Sequence, residues 1–167
     1  MIITDGIGSS ALVTDGLGGD GGGKKLVRQL VMNQIDIKFK TILISNGYNT
    51  NAGENVFQWH IGDMPQDRLP SINFRDISKE TVQHIIAHIY RLTIEAELTT
   101  LDVSSDEEIR KLIQDVVNAI GDDPTWNQQA IDTEMLEDTI LVDVANKVIT
   151  GGIVRFVVMY REAEFNE

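Results

Sequence analysis

The sequence contains no cysteine, which excludes a disulfide framework and thiolate metal sites and fits folding in a reducing cytoplasm. It also lacks any apolar run near the roughly 18 to 20 residues needed to span a bilayer. Its opening residues, Met1-Ile2-Ile3-Thr4-Asp5-Gly6, carry none of the basic charge that starts a signal peptide. The expectation is a soluble protein that is not exported by the usual route and has no membrane partner. Positive charge is scarce, with 14 Lys and Arg against 26 Asp and Glu and a formal net charge of −12. Phosphate backbones are held by clustered Lys and Arg, so nucleic-acid binding is excluded as the main source of affinity. Ser9, Ser10, Ser45, Ser71, Ser78, Ser104 and Ser105 are the serines, and none stands in a nucleophile-elbow pattern. No catalytic residue, cofactor or metal is assigned from the sequence.

What is present suits one domain with an appendage: 167 residues, 42% hydrophobic and 24% charged, close to globular averages. The charge is uneven. Residues 1–100 hold 11 acidic and 9 basic side chains, whereas residues 101–143 hold 12 acidic and 2 basic, so almost the whole negative field comes from one region. Most such runs are solvated surface, and the alternative is a functional negative wall.

The first 23 residues hold eight of the fourteen glycines, and Ile3-Thr4-Asp5-Gly6-Ile7-Gly8 is answered by Val13-Thr14-Asp15-Gly16-Leu17-Gly18. Such a segment loses much backbone entropy on ordering and has little apolar area to bury. The expectation is an arm that docks on a neighbouring subunit, with Ile2, Ile3, Ile7, Leu12, Val13 and Leu17 as its anchors. The domain division that follows is residues 1–31 for arm and helix start and 32–167 for the folded domain.

Beyond Lys24 the apolar spacing of Leu26, Leu30, Ile35, Phe39, Ile42 and Leu43 predicts a helix ending at Asn46-Gly47. Strands are expected around Asn55–His60 and Pro70–Asp76, and the alternation of Leu92, Ile94, Ala96 and Leu98 extends to a single long strand over 81–99. Ser105-Asp106-Glu107-Glu108 gives a capping box to a helix with Ile109, Leu112, Ile113, Val116, Val117 and Ile120, stopped by Gly121. After the turn Asp122-Asp123-Pro124-Thr125-Trp126, with its bulky anchor, come short strands near 130–136 and 139–144. A last strand from Ile153 to Arg161, apolar on both faces, belongs in the middle of the sheet. The predicted fold is α+β: a mostly antiparallel sheet with two helices packed on one face, plus the extended glycine-rich arm.

Two patterns hint at chemistry. Gly18-Gly19-Asp20-Gly21-Gly22-Gly23-Lys24-Lys25 nearly matches a phosphate-binding loop and keeps a nucleotide-binding enzyme open as an alternative. Lys25 replaces the hydroxyl that would contact magnesium, however, and an antiparallel chain is the wrong setting. His84 and His88, four apart, could share a metal on a helix, but no third ligand stands at a defined spacing.

At Asn46-Gly47-Tyr48-Asn49-Thr50-Asn51-Ala52-Gly53-Glu54-Asn55-Val56-Phe57 and Leu69-Pro70-Ser71-Ile72 the chain resembles bacteriophage tail terminators, also called tail-completion proteins. Gly121-Asp122-Asp123-Pro124-Thr125-Trp126 and Gly151-Gly152-Ile153-Val154-Arg155-Phe156 through Tyr160-Arg161 continue the resemblance, which spans about residues 32 to 162. The first 31 residues depart from it. The resemblance implies a virion structural protein of the neck region, made in the host cytoplasm, that forms a ring, usually a hexamer. Such a ring caps the tail tube, ends its polymerisation and joins the tail to the head connector. Implied partners are copies of itself, the tail tube protein, a connector or head-closure protein, and a sheath protein if the tail contracts. Genome DNA would pass without specific binding, and Glu107, Glu108, Asp115, Asp122 and Asp123 are the candidate acidic lining of its channel. A head-closure, connector or tail-tube subunit would share the same small ring-forming character.

Overall fold

The structure, a computed structural model, describes residues 26–83, 88–100, 106–143 and 148–162. The arm anchors Ile2, Ile3, Ile7, Leu12, Val13 and Leu17, the Gly18–Lys25 loop and His84 lie outside the described residues. In chain order the elements are α1 (Val27–Phe39), β1 (Val56–Gln58), β2 (Ser71–Gln83), β3 (His88–Thr99), α2 (Asp106–Asp122), β4 (Asp132–Asp143) and β5 (Val148–Glu162). The five strands form one sheet in the order β1-β2-β3-β5-β4, antiparallel except for the parallel β1–β2 pair. The expected α+β class holds, and β5 lies between β3 and β4 as its two apolar faces require.

Val31, Met32, Ile35 and Phe39 put the buried side of α1 on the sheet, and the division at residues 31 and 32 falls inside this continuous helix. The helix ends at Phe39, not at Asn46-Gly47. Its last carbonyls are taken by tightened bonds, Lys38 accepting from the Thr41 N–H and Phe39 from the Ile42 N–H, each at 3.0 Å. Beyond them the Ile42 carbonyl accepts from the Gly53 N–H at 2.8 Å, and a Cβ on Gly53 would sit 2.6 Å from the Lys40 carbonyl oxygen. The chain can approach that closely only where no side chain intervenes. Asn46-Gly47 closes a separate single 3-10 turn, with Gly47 left-handed at φ 92°.

α2 carries the clearest amphipathic pattern in the chain and buries Ile109, Leu112, Ile113, Val116, Ala119 and Ile120. It passes over Gly152, where a Cβ would meet the side chains of Ile109 and Ile113 at 3.2 Å. The phenyl ring of Phe39 meets Phe74 of β2 edge-on at 5.6 Å and Phe156 of β5 at 6.4 Å. Phe74 shares a rung with Ala96 and Val154, and Ile72 with Leu98 and Gly152, so both helices cover the same sheet face. Complete burial of side chains of this size contributes about 1.5–3 kcal/mol each.

Three strand expectations are corrected. Residues 81–99 are not one strand: Thr81 pairs with Tyr90 and Gln83 with Ile89, so β2 runs up and β3 comes back down. The expected breaks at 76 and at 136–139 are β-bulges, with Ile77 and Leu136 as the extra residues of the continuous strands β2 and β4. Gly121 does not stop α2, which continues to Asp122.

Candidate functional site

The five acidic candidates do not form one surface. Glu107 and Glu108 stand in the first turn of α2, where carboxylates complement the helix dipole, and both reach Lys111 Nζ at 2.9 Å. Hydrogen bonds to these carboxylates, Glu108 first, push the Lys111 ammonium above its usual range. Asp122 lies at the other end of the helix, about 22 Å away at the α-helical rise. It accepts from Lys38 Nζ at 3.2 Å and from the Tyr48 hydroxyl at 3.1 Å.

Asp123 is absorbed by the next turn. It accepts from the Asn127 N–H at 2.7 Å, the Thr125 hydroxyl at 2.9 Å and the Thr125 N–H at 3.3 Å. Partial burial raises its pKa, and these hydrogen bonds outweigh burial and hold it below the usual carboxylate range. The turn carries Trp126, Asn127 and Gln128 at positive φ. It swings the Trp126 ring into the core against Phe156 at 5.9 Å, where its indole N–H donates to the Thr133 hydroxyl at 2.8 Å.

Asp115 does not belong to any solvent-facing wall, since its exposure is 0%. It sits on the buried side of α2 and accepts from the backbone N–H groups of Asn49 and Thr50, the Asn49 amide and the Thr50 hydroxyl, at 2.8–3.0 Å. A buried carboxylate is tolerated only with such saturation. Its role is to hold the Tyr48-Asn49-Thr50 turn on the helix.

Between the C-terminal ends of the two helices lies a polar cleft of about 710 Å³ lined by Lys38, Thr41, Tyr48, Asn118 and Asp122, among others. His88 stacks beside Tyr90 with ring centroids 6.0 Å apart, and no cluster of metal-ligating side chains occurs among the described residues. At the same end of the sheet Lys79 Nζ lies 3.6 Å from the Tyr90 ring centre and 2.9 Å from a Glu162 carboxylate oxygen.

The feature that sequence reasoning missed is on the sheet face away from the helices. Arg75, Glu95, Arg155 and Glu137 occupy one rung across β2, β3, β5 and β4. Arg75 is ion-paired to Glu95, Arg155 Nε donates to Glu95 at 2.8 Å, and Arg155 is ion-paired to Glu137. Glu95 is buried beneath the two guanidinium groups. Burial raises its pKa, and the hydrogen bonds from Arg155 and Arg75 overcome that and hold it below the usual range. The signs alternate across four of the five strands, from Arg75 on β2, which also lies 3.9 Å from Glu97, to Glu137 on the β4 edge.

No protein-family model matches the chain, and no curated protein matches it.

Proposed function

We propose that this chain is a virion structural protein of the tail-terminator kind, which works by assembling into a ring at the head-proximal end of the tail tube. The observation that carries the reading concerns the residues of the resemblance, which turn out to be the joints that specify the fold. Asn49 and Thr50 are pinned by buried Asp115, and Gly53 makes room for the Ile42 carbonyl. Trp126 fills the core, and a Cβ on Gly151 would lie 2.4 Å from the Leu98 carbonyl oxygen. Motifs of that kind follow a shared architecture more closely than surface residues would. Partners under this reading are copies of the chain, the tube protein and the connector or head-closure protein, with a sheath protein where the tail contracts.

Electron microscopy of virions with the protein labelled, together with light scattering on the purified chain, tests the proposal. The expected result is label at the junction of head and tail and a ring-sized species, free or on tails. A protein that is absent from virions, or strictly monomeric both free and in them, sinks it. A second reading, nucleotide binding through Gly18–Lys25, is checked by ATP and GTP binding with Lys24→Ala as control. The sheet is mostly antiparallel, unlike the parallel sheets on which such loops are built.

A further inference from the structure

We infer that copies of this chain join edge to edge, the outer edge of β4 in one copy pairing with the upper part of β2 in the next, so that one antiparallel sheet continues through the assembly. The inference deepens the ring reading and shares its premise of self-association, but it rests on separate observations.

The first observation is which edges are open. β1 covers Ile72–Phe74 of β2, and Trp59 extends that cover to Asp76, its N–H donating to the Phe74 carbonyl at 3.1 Å and its indole N–H to Asp76 at 3.0 Å. From Ile77 to Gln83, β2 pairs with β3 alone among the described strands, and β4 pairs with β5 alone. Backbone groups along such edges are a template for another strand. Soluble proteins blunt them with charge, yet here the bulged residues of both edge strands are apolar and exposed, Ile77 and Val82 on β2 and Leu136 on β4. Among the described residues, seven of the ten exposed large hydrophobics lie along these two sides: Trp59, Ile61, Ile77 and Val82 on one, Ile131, Met135 and Leu136 on the other.

The second observation is strand direction. Antiparallel pairing runs through β2, β3, β5 and β4, an even number of strands, so β4 points opposite to β2. A copy rotated about an axis along the strands therefore presents its β2 antiparallel to the first copy's β4, with no reversal of the subunit. The rungs also match in height. Ser78 shares a rung with Glu134 and Glu80 with Asp132, so the open part of β2 and the open part of β4 lie at one level. Contact between two different edges at one level is the heterologous kind that closes a ring.

The third observation is charge, which selects a different edge over the same one. Over Asp132–Ile140, β4 carries Asp132, Glu134, Glu137 and Asp138 and no basic residue. Pairing β4 with another β4 would bring those carboxylates together, whereas the open part of β2, from Ile77 to Val82, offers Lys79 beside a single carboxylate, Glu80. In strict register Asp132 falls against Glu80, two solvated carboxylates that make the contact weaker at low salt.

The absence of native cysteine makes the test direct. Ile77→Cys and Leu136→Cys are made singly and together in the full chain and treated with a short bismaleimide. A second pair, Val82→Cys with Ile131→Cys, covers the case in which the first misfolds, as judged by thermal unfolding. The expected result is a ladder of multimers from the double variant, dimers from an equimolar mixture of the two singles, and only monomer from either single alone. Dimers from one single variant alone mean that an edge pairs with itself and overturn the inference. Absence of links while light scattering reports a ring-sized species overturns the edge assignment and leaves the ring reading standing. A monomer without links at any concentration overturns the inference as a property of the free chain, and the virion images then decide the functional reading. A ladder from a protein absent from virions supports the inference and sinks the tail-terminator reading.

Discussion

On the helix-covered face of the sheet Phe74, Ala96 and Phe156 are fully buried, and one residue along each of the same strands, on the opposite face, stand Arg75, Glu95 and Arg155. The period of two along a strand separates a dry aromatic centre from a charge ladder by a single peptide unit. The two faces therefore differ in how strongly each residue is tied to folding. Packing against Phe39 and Trp126 is insensitive to pH and salt, whereas the ladder depends on the ionisation of Glu95 and on how well the half-exposed arginines are screened. Stability is concentrated on the covered face, and the half-exposed ion pairs of the opposite face contribute less to it.

The comparison breaks most visibly at Trp126. Trp126→Ala removes the largest fully buried side chain, its contacts with Phe39 and Phe156, and the bond to Thr133. The expected loss is about 3–5 kcal/mol, read by urea unfolding of the isolated chain. A loss below about 1 kcal/mol would mean that the positive-φ turn, and not the indole, carries this corner.

Asp115 sharpens the comparison, because it is a charge on the covered side. Asp115→Ala leaves the N–H groups of Asn49 and Thr50 without their acceptor, and the expected cost is about 3 kcal/mol. Hydrogen exchange at those two amides should rise more than elsewhere in the chain. Uniform loss of protection would instead mark Asp115 as general support for the core.

How legible these elements were depends on whether their signal is local. α2 announces itself by a capping box and a continuous apolar spacing, and β5 by apolar residues on both faces, because each pattern is complete within one segment. The β2–β3 hairpin was hidden because His84-Ile85-Ile86-Ala87 has no turn-forming residue and joins two alternating runs into one apparent strand. Leu136 broke the alternation of β4 and made it look like two strands. The ladder depends on register among residues 18 to 60 positions apart, which a single sequence does not display. Asp115 did leave a local trace: it lies three residues after Leu112 and four before Ala119, on the apolar side of the helix, where a carboxylate requires a partner. Charge counting alone grouped it with the solvated acids.

On the open face, Glu95→Gln is expected to cost about 1 kcal/mol near neutral pH, a figure reduced for the half-exposed arginines. Its pH dependence has a definite sign. The folded pKa of Glu95 is lowered from 4.5, so its contribution is fully present above 4.5 and is lost as pH falls through the lowered value. The wild-type chain should therefore lose stability faster than Glu95→Gln below about pH 4.5, and the two melting curves should converge in acid. Parallel curves over that window would show that the ladder has little influence on folding.

The smallest effect is expected where the sequence placed most of its negative field. Glu107 and Glu108 are solvent-facing at the start of α2, where both pair with Lys111, and exposed pairs of this kind contribute little. Replacing both with Lys reverses four units of charge and sets them against the helix dipole, so a slight fall in melting temperature is expected, largest at low salt. If these carboxylates face a DNA channel in the assembled ring, the same variant should slow genome release while the isolated subunit folds and self-associates as before, and added salt should weaken the delay. Unchanged release kinetics in virions carrying the double reversal would return Glu107 and Glu108 to ordinary solvated surface. The joint at Asp115 would be untouched by that outcome, since its acceptors point into the protein and not toward any channel.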